Sequence, residues 1–198
     1  MQAVLFFFIG CMELSHTVDP KRRALHNYGK EMKILAEEYD LSWDYLMALT
    51  VLECSGRKPC AHRFEGHVYD QLKQVQRGDL HAYSNILFES IEERSDAEIG
   101  HLATSWGPFQ IMGYHTIHMG IPIADLSNES ALAHGVQWVD TNYGHRLRKE
   151  QYEDAFHLHN TGRPFPEDGI PTTYDPDYVY NGLWYMDFFS AYEDARQP

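Results

Sequence analysis

The chain has 198 residues, 43% of them hydrophobic and 14% aromatic, which suits a single domain with a sizeable buried core and excludes a disordered protein. Sixteen Lys and Arg against 29 Asp and Glu give a formal charge of −13. With no basic stripe along the chain, this argues against a general nucleic-acid binder, whose affinity for phosphates needs clustered cations.

Residues 1–19 read as a leader or extension. Met1 to Met12 is an apolar run too short to span a bilayer as a helix, and it fits the hydrophobic region of a signal peptide. Phe8-Ile9-Gly10-Cys11 resembles a relaxed bacterial lipobox, which would make Cys11 a lipid anchor and the chain's contact with a membrane. A positively charged start is missing, so a buried N-terminal strand or helix is the competing reading.

Helices are expected almost everywhere in 20–198, with any sheet limited to a small hairpin. Leu25, Tyr28, Met32 and Leu35 recur at helical spacing over Pro20–Tyr39, with Asp19 as N-cap and Pro20 at the first position. A mostly buried helix follows at about 42–54, ending on Glu53 and the turn Cys54-Ser55-Gly56. Further helices are predicted at 67–77, 84–93, 128–146 and 149–159. Ser95-Asp96-Ala97-Glu98 forms a capping-box pattern for a short helix leading to Trp106. Residues 161–175, dense in Gly and Pro, read as a surface loop, and an aromatic helix begins after Asp175-Pro176.

Glu53 carries the first chemical signal. A carboxyl at the end of an apolar helix is desolvated and resists ionising, and a glutamic acid still protonated near neutrality can donate a proton to a glycosidic oxygen. The abundant aromatics suit the apolar faces of sugars, although most serve equally well as core.

Glu53-Cys54-Ser55-Gly56, followed by Gly107-Pro108-Phe109-Gln110 and then by Asn160-Thr161-Gly162 and Tyr178-Val179, resembles the motif series of the lysozyme-like superfamily, in particular SLT-type lytic transglycosylases and N-acetylmuramidase-type phage endolysins. The resemblance covers roughly residues 40 to 192. It implies a mainly α, α+β lysozyme-like catalytic domain that cuts the β-1,4 bond between N-acetylmuramic acid and N-acetylglucosamine in peptidoglycan strands. No cofactor and no metal are implied. Glu53 would be the general acid and base, and Ser55, Gly56, Trp106, Gly107, Gln110, Asn160 and Tyr178 would line or order the sugar site. Phe64-Glu65-Gly66-His67 matches an element of the muramidase type and offers Glu65 as a second carboxylate, which a hydrolase needs and a transglycosylase does not. His159 stands where the family carries an aromatic before the Asn-x-Gly. The implied location is the periplasm or an anchored position at the outer membrane, or, for a phage endolysin, synthesis in the cytoplasm. Nothing in the sequence fixes an oligomeric state.

Two other classes remain: a catalytically silent glycan-binding or structural protein of the same fold, and a cell-wall metallopeptidase. The second would draw on the 12 histidines, but no His-Glu-x-x-His is present. Cys54 and Cys60 are close enough in sequence to bridge; they could equally be free thiols, or join His62 or His67 around zinc.

Overall fold

A computed structural model describes residues 19–195; the leader or lipid-anchor reading of the segment before Asp19 lies outside the described residues. The chain opens on α1 (Pro20–Tyr39), where the Asp19 side chain accepts from the Lys21 amide and Pro20 takes the first position. α2 (Trp43–Cys54) is capped by Ser42 and buries every residue from Tyr45 to Val51. A helix apolar all round belongs inside the protein. α1 packs along it, and α9 (Tyr178–Asp194) packs on it more extensively than any other element. α2 is thus the central post of the molecule.

After α2 the chain builds a smaller lobe from β1 (Arg63–Phe64), α3 (Gly66–Arg77), the hairpin β2 (Ala82–Tyr83) and β3 (Ile86–Leu87), α4 (Asp96–Leu102), β4 (Thr104–Trp106) and β5 (Ile111–Met112). β4 lies between β1 and β5, antiparallel to both, with Arg63 opposite Ser105 and Ser105 opposite Met112. The lobe has its own core of Val68, Leu72, Val75, Ile86, Ile91, Ile99 and Leu102. The main core joins α1 and α2 to α6 (Ala131–Val139), α8 (Tyr152–Thr161) and α9; α5 (His115–Met119) and α7 (His145–Leu147) are short connectors. Two hydrophobic clusters meeting along a seam leave a cleft between them.

Two expected helices change form. The one predicted over 84–93 is replaced by β3 and a single 3-10 turn (Phe88–Ser90), because Ser84 and Asn85 both take positive φ, 47° and 63°, and turn the chain into a hairpin. The helix predicted over 128–146 starts at Ala131 and is broken by a wider π turn at Asp140–Gly144, inside which Tyr143 leaves helical geometry at φ −152°. β-structure also exceeds one hairpin, with a three-stranded and a two-stranded sheet. The capping box at Ser95 and Glu98 forms as expected.

Candidate active site

Glu53 sits in the last turn of α2, and the chain leaves that helix through Ser55 at φ 55° and Gly56 at φ 67°. Gly56 is required there on two counts. Its backbone is left-handed, and a Cβ would stand 2.5 Å from the Ala24 amide nitrogen of α1. Its carbonyl accepts from Asn27 Nδ2 at 2.8 Å. Gly56 therefore anchors the end of α2 against α1, Ser55 closes the helix with its amide bonded to the Val51 carbonyl, and neither lines the cleft.

The Glu53 side chain is 15% exposed. Tyr178, the first residue of α9, donates its hydroxyl to Glu53 Oε1. Burial raises the carboxyl, the Tyr178 hydrogen bond and the Arg63 charge oppose this, and burial wins, leaving a pKa of about 7. Tyr178, itself buried beside the carboxyl, is held well above the ordinary tyrosine range and remains a donor.

His159 Nε2 lies 3.7 Å from the same carboxylate oxygen, but the two do not form an ion pair. Burial drives His159 down to about 4, so the ring is neutral where Glu53 titrates. Its hydrogen bonds fix the tautomer. Nε2–H donates to the Phe109 carbonyl at 2.9 Å, which can only accept, so Nδ1 takes the Tyr143 hydroxyl at 2.7 Å. Tyr143 in turn accepts from Tyr45 at 3.4 Å. This line from α2 through the π turn to α8 and the Phe109 loop has no sequence signal beyond His159 replacing an aromatic, because its members lie 45 to 159 along the chain and meet only in the fold.

Between the lobes lies a cleft of about 1150 Å³. The small lobe contributes Arg63, Glu65, Tyr83 and Gln110, the helices contribute Trp138, Tyr143, His159 and Asn160, and the following loop contributes Gly162 and Tyr174. Arg63 and His159 on its wall are also the neighbours that act on Glu53. Asn160 is exposed on it. Gln110 spends its amide on structure: Oε1 accepts from Ser105, while Nε2 donates to the Ala61 and Gly107 carbonyls. It braces the wall of the cleft. Glu65 faces the cleft and accepts from Arg63 Nε at 2.5 Å, with His67 at 3.8 Å.

Trp106 and Gly107 are not brought to this cleft. Neighbouring residues on a strand point to opposite faces; Ser105 turns to Gln110, so Trp106 turns away, stacking on His62 at 5.0 Å and donating to the His101 carbonyl. With Gly107 it lines a separate cavity of about 370 Å³. Gly107, at φ 74°, lets the turn pass Leu126, whose carbonyl would lie 2.7 Å from a Cβ.

Cys54 and Cys60 are free thiols, both donating to the Arg57 carbonyl, at 3.5 and 3.1 Å. The neighbouring Cys60 sulfur raises Cys54, with burial adding to it, and the Cys54 thiol, with help from Tyr28 and Lys58, lowers Cys60, where a thiolate would accept from it. Because the thiolate is the reactive form, a small alkylating reagent should label Cys60 first in the native reduced protein. A time course of peptide masses in which Cys54 reacts first or equally fast would contradict this. Among the described residues, no three or more His, Cys, Asp or Glu side chains converge as a metal-ligand set, and no helix is long and apolar enough to cross a membrane.

No protein-family model matches the sequence, and no curated protein matches it. The structure is similar to the crystal structure of Burkholderia AP3 phage endolysin, with a TM-score of 0.54 at 18% identity over 83% of this chain and 70% of that one. The chain therefore shares its mainly helical α+β fold with that protein.

Proposed function

We propose that this protein lyses cell walls by cutting the glycan strands of peptidoglycan at the β-1,4 bond between N-acetylmuramic acid and N-acetylglucosamine. The observation that carries the reading is Glu53, a carboxyl held at about 7 by burial, hydrogen-bonded by Tyr178 and set directly behind two residues of the cleft wall, Arg63 and His159. A protonated carboxyl there gives its proton to the glycosidic oxygen as the bond to C1 breaks. The resulting carboxylate is stabilised by the Tyr178 hydroxyl and the Arg63 charge, the two influences that lower its pKa. It then acts as base on the group that captures C1. The likeness of the fold to that of a phage endolysin supports synthesis in the cytoplasm of an infected cell, in preference to a resident periplasmic or outer-membrane-anchored enzyme.

In this reading Glu65 serves as the partner of Arg63, which bonds its Oε1, and not as a nucleophile. C1 is then captured by the muramyl 6-hydroxyl, giving a 1,6-anhydro end, and Asn160-Thr161-Gly162, matching the transglycosylase pattern, favours this route. Glu65→Ala should keep activity within about tenfold, well short of the loss expected when a catalytic carboxylate is removed. Mass analysis of the wild-type products should show anhydro ends. A folded Glu65→Ala protein with activity reduced by about 10³-fold, together with reducing ends only, would make Glu65 the second carboxylate of a muramidase.

A further inference from the structure

The loop between α8 and α9 runs past the cleft with little structure of its own. Pro164, Pro166 and Pro171 remove backbone donors, and within its tip Gly169 bonds Pro166 and the Ile170 amide bonds the Asp168 side chain. It is tied down elsewhere, by His157 on the buried face of α8. His157 is fully buried and spends both ring nitrogens on the loop. Nδ1 donates to the Arg163 carbonyl at 2.8 Å, and Nε2 accepts from the Thr172 amide at 3.1 Å. A carbonyl only accepts and an amide N–H only donates, so these two bonds share the ring nitrogens as one donor and one acceptor. One imidazole thus staples the two ends of a ten-residue span. Phe165 packs edge-on against the ring, and its amide is held by Asp154 Oδ1 at 2.8 Å.

Two residues beyond the staple stands Tyr174. It lines the cleft and is exposed over its whole surface, 101%. An aromatic ring gains most by burial, and this one is held open by the buried Thr173 beside it, whose hydroxyl donates to the Asp175 carbonyl at 2.7 Å, with the His157–Thr172 staple one residue further back. Asn160 and Gly162, at the other end of the loop, line the same cleft.

We propose that Tyr174 is a sugar-contacting residue, its ring packing on a pyranose face at an outer position of the glycan strand, and that His157 is the positioning residue that presents it. The inference rests on the glycan reading of the cleft. Contact with a sugar buries the ring without any movement of protons, so it contributes to binding and not to bond cleavage.

The test is equilibrium binding of soluble, purified peptidoglycan strands to Glu53→Gln protein, with cleavage kinetics of the same strands by the active enzyme. Tyr174→Ala should weaken binding about 2- to 10-fold, the scale of one aromatic stack, raise KM alike and leave kcat within about twofold. Tyr174→Phe should restore the wild-type values. His157→Ala should reproduce the KM increase, His157→Gln, whose amide can both donate and accept, should rescue it, and adding Tyr174→Ala to His157→Ala should cost little more. Unchanged binding in Tyr174→Ala, or equal losses in Tyr174→Ala and Tyr174→Phe, would overturn the proposal. Strands that bind in a Tyr174-dependent way but are never cut would sink the proposed activity and leave the contact standing. Strands that do not bind at all would remove both.

Discussion

Glu53→Gln should abolish wall cleavage while leaving the fold intact. The amide keeps the size of the side chain and can still accept from Tyr178, but it has no proton to give to a leaving oxygen, and a lost general acid costs at least about 10²-fold in rate. Stability should move the other way. A carboxyl raised from 4.5 to about 7 favours the folded state fully below 4.5 and loses that contribution as pH rises through 7, a cost of roughly 3 kcal/mol once it is ionised. The uncharged amide escapes that cost, so at pH 8 the thermal midpoint of Glu53→Gln should equal or exceed that of the wild type. Loss of activity together with a lower midpoint would mean that the variant fails for structural reasons. More than a tenth of the activity retained would place the acid elsewhere.

The pH profile carries the second large effect. Activity should fall tenfold per unit on the alkaline side of about pH 7, as Glu53 ionises, reaching about a hundredth of its plateau two units higher. His159, neutral above about 4, should add no limb near pH 6. Tyr178→Phe deletes a hydrogen bond that stabilises the carboxylate, so Glu53 should titrate higher and the alkaline limb should move to higher pH. The variant should also turn over more slowly, because the carboxylate formed during proton transfer loses its donor. Rates of dye-labelled peptidoglycan release between pH 5 and 9 decide this. A limb that stays in place or moves down in Tyr178→Phe would show that the hydroxyl does not act on the carboxyl whose ionisation sets the limb.

Local signals translated well into structure. The caps at Asp19-Pro20 and Ser95-Glu98 depend on residues within three positions of one another, and both form. Glu53 was legible because the apolar run before it buries on every side, leaving the carboxyl at the boundary. The hairpin at Ser84-Asn85 was not, since Ile86, Leu87, Phe88 and Ile91 leave helix and strand periods ambiguous and only two left-handed residues decide. The π turn at Asp140–Gly144 depends on tertiary partners, among them Arg148, which bonds both Asp140 and the Tyr39 carbonyl. The site split along the same line. Gln110 and Asn160 lie on the cleft wall and Tyr178 bonds Glu53 from outside it, but Trp106 leaves the cleft through strand alternation, and the Tyr45–Tyr143–His159 line exists only because α2, the π turn and α8 share one core.

The most direct test of a protonated Glu53 acting on glycan is to digest purified peptidoglycan with the wild-type protein near pH 6 and weigh the soluble fragments. Disaccharide units with intact peptide stems, absent when Glu53→Gln replaces the wild type, are the expected result. Glycan strands of full length with severed peptides, or no soluble fragments at all, would contradict it.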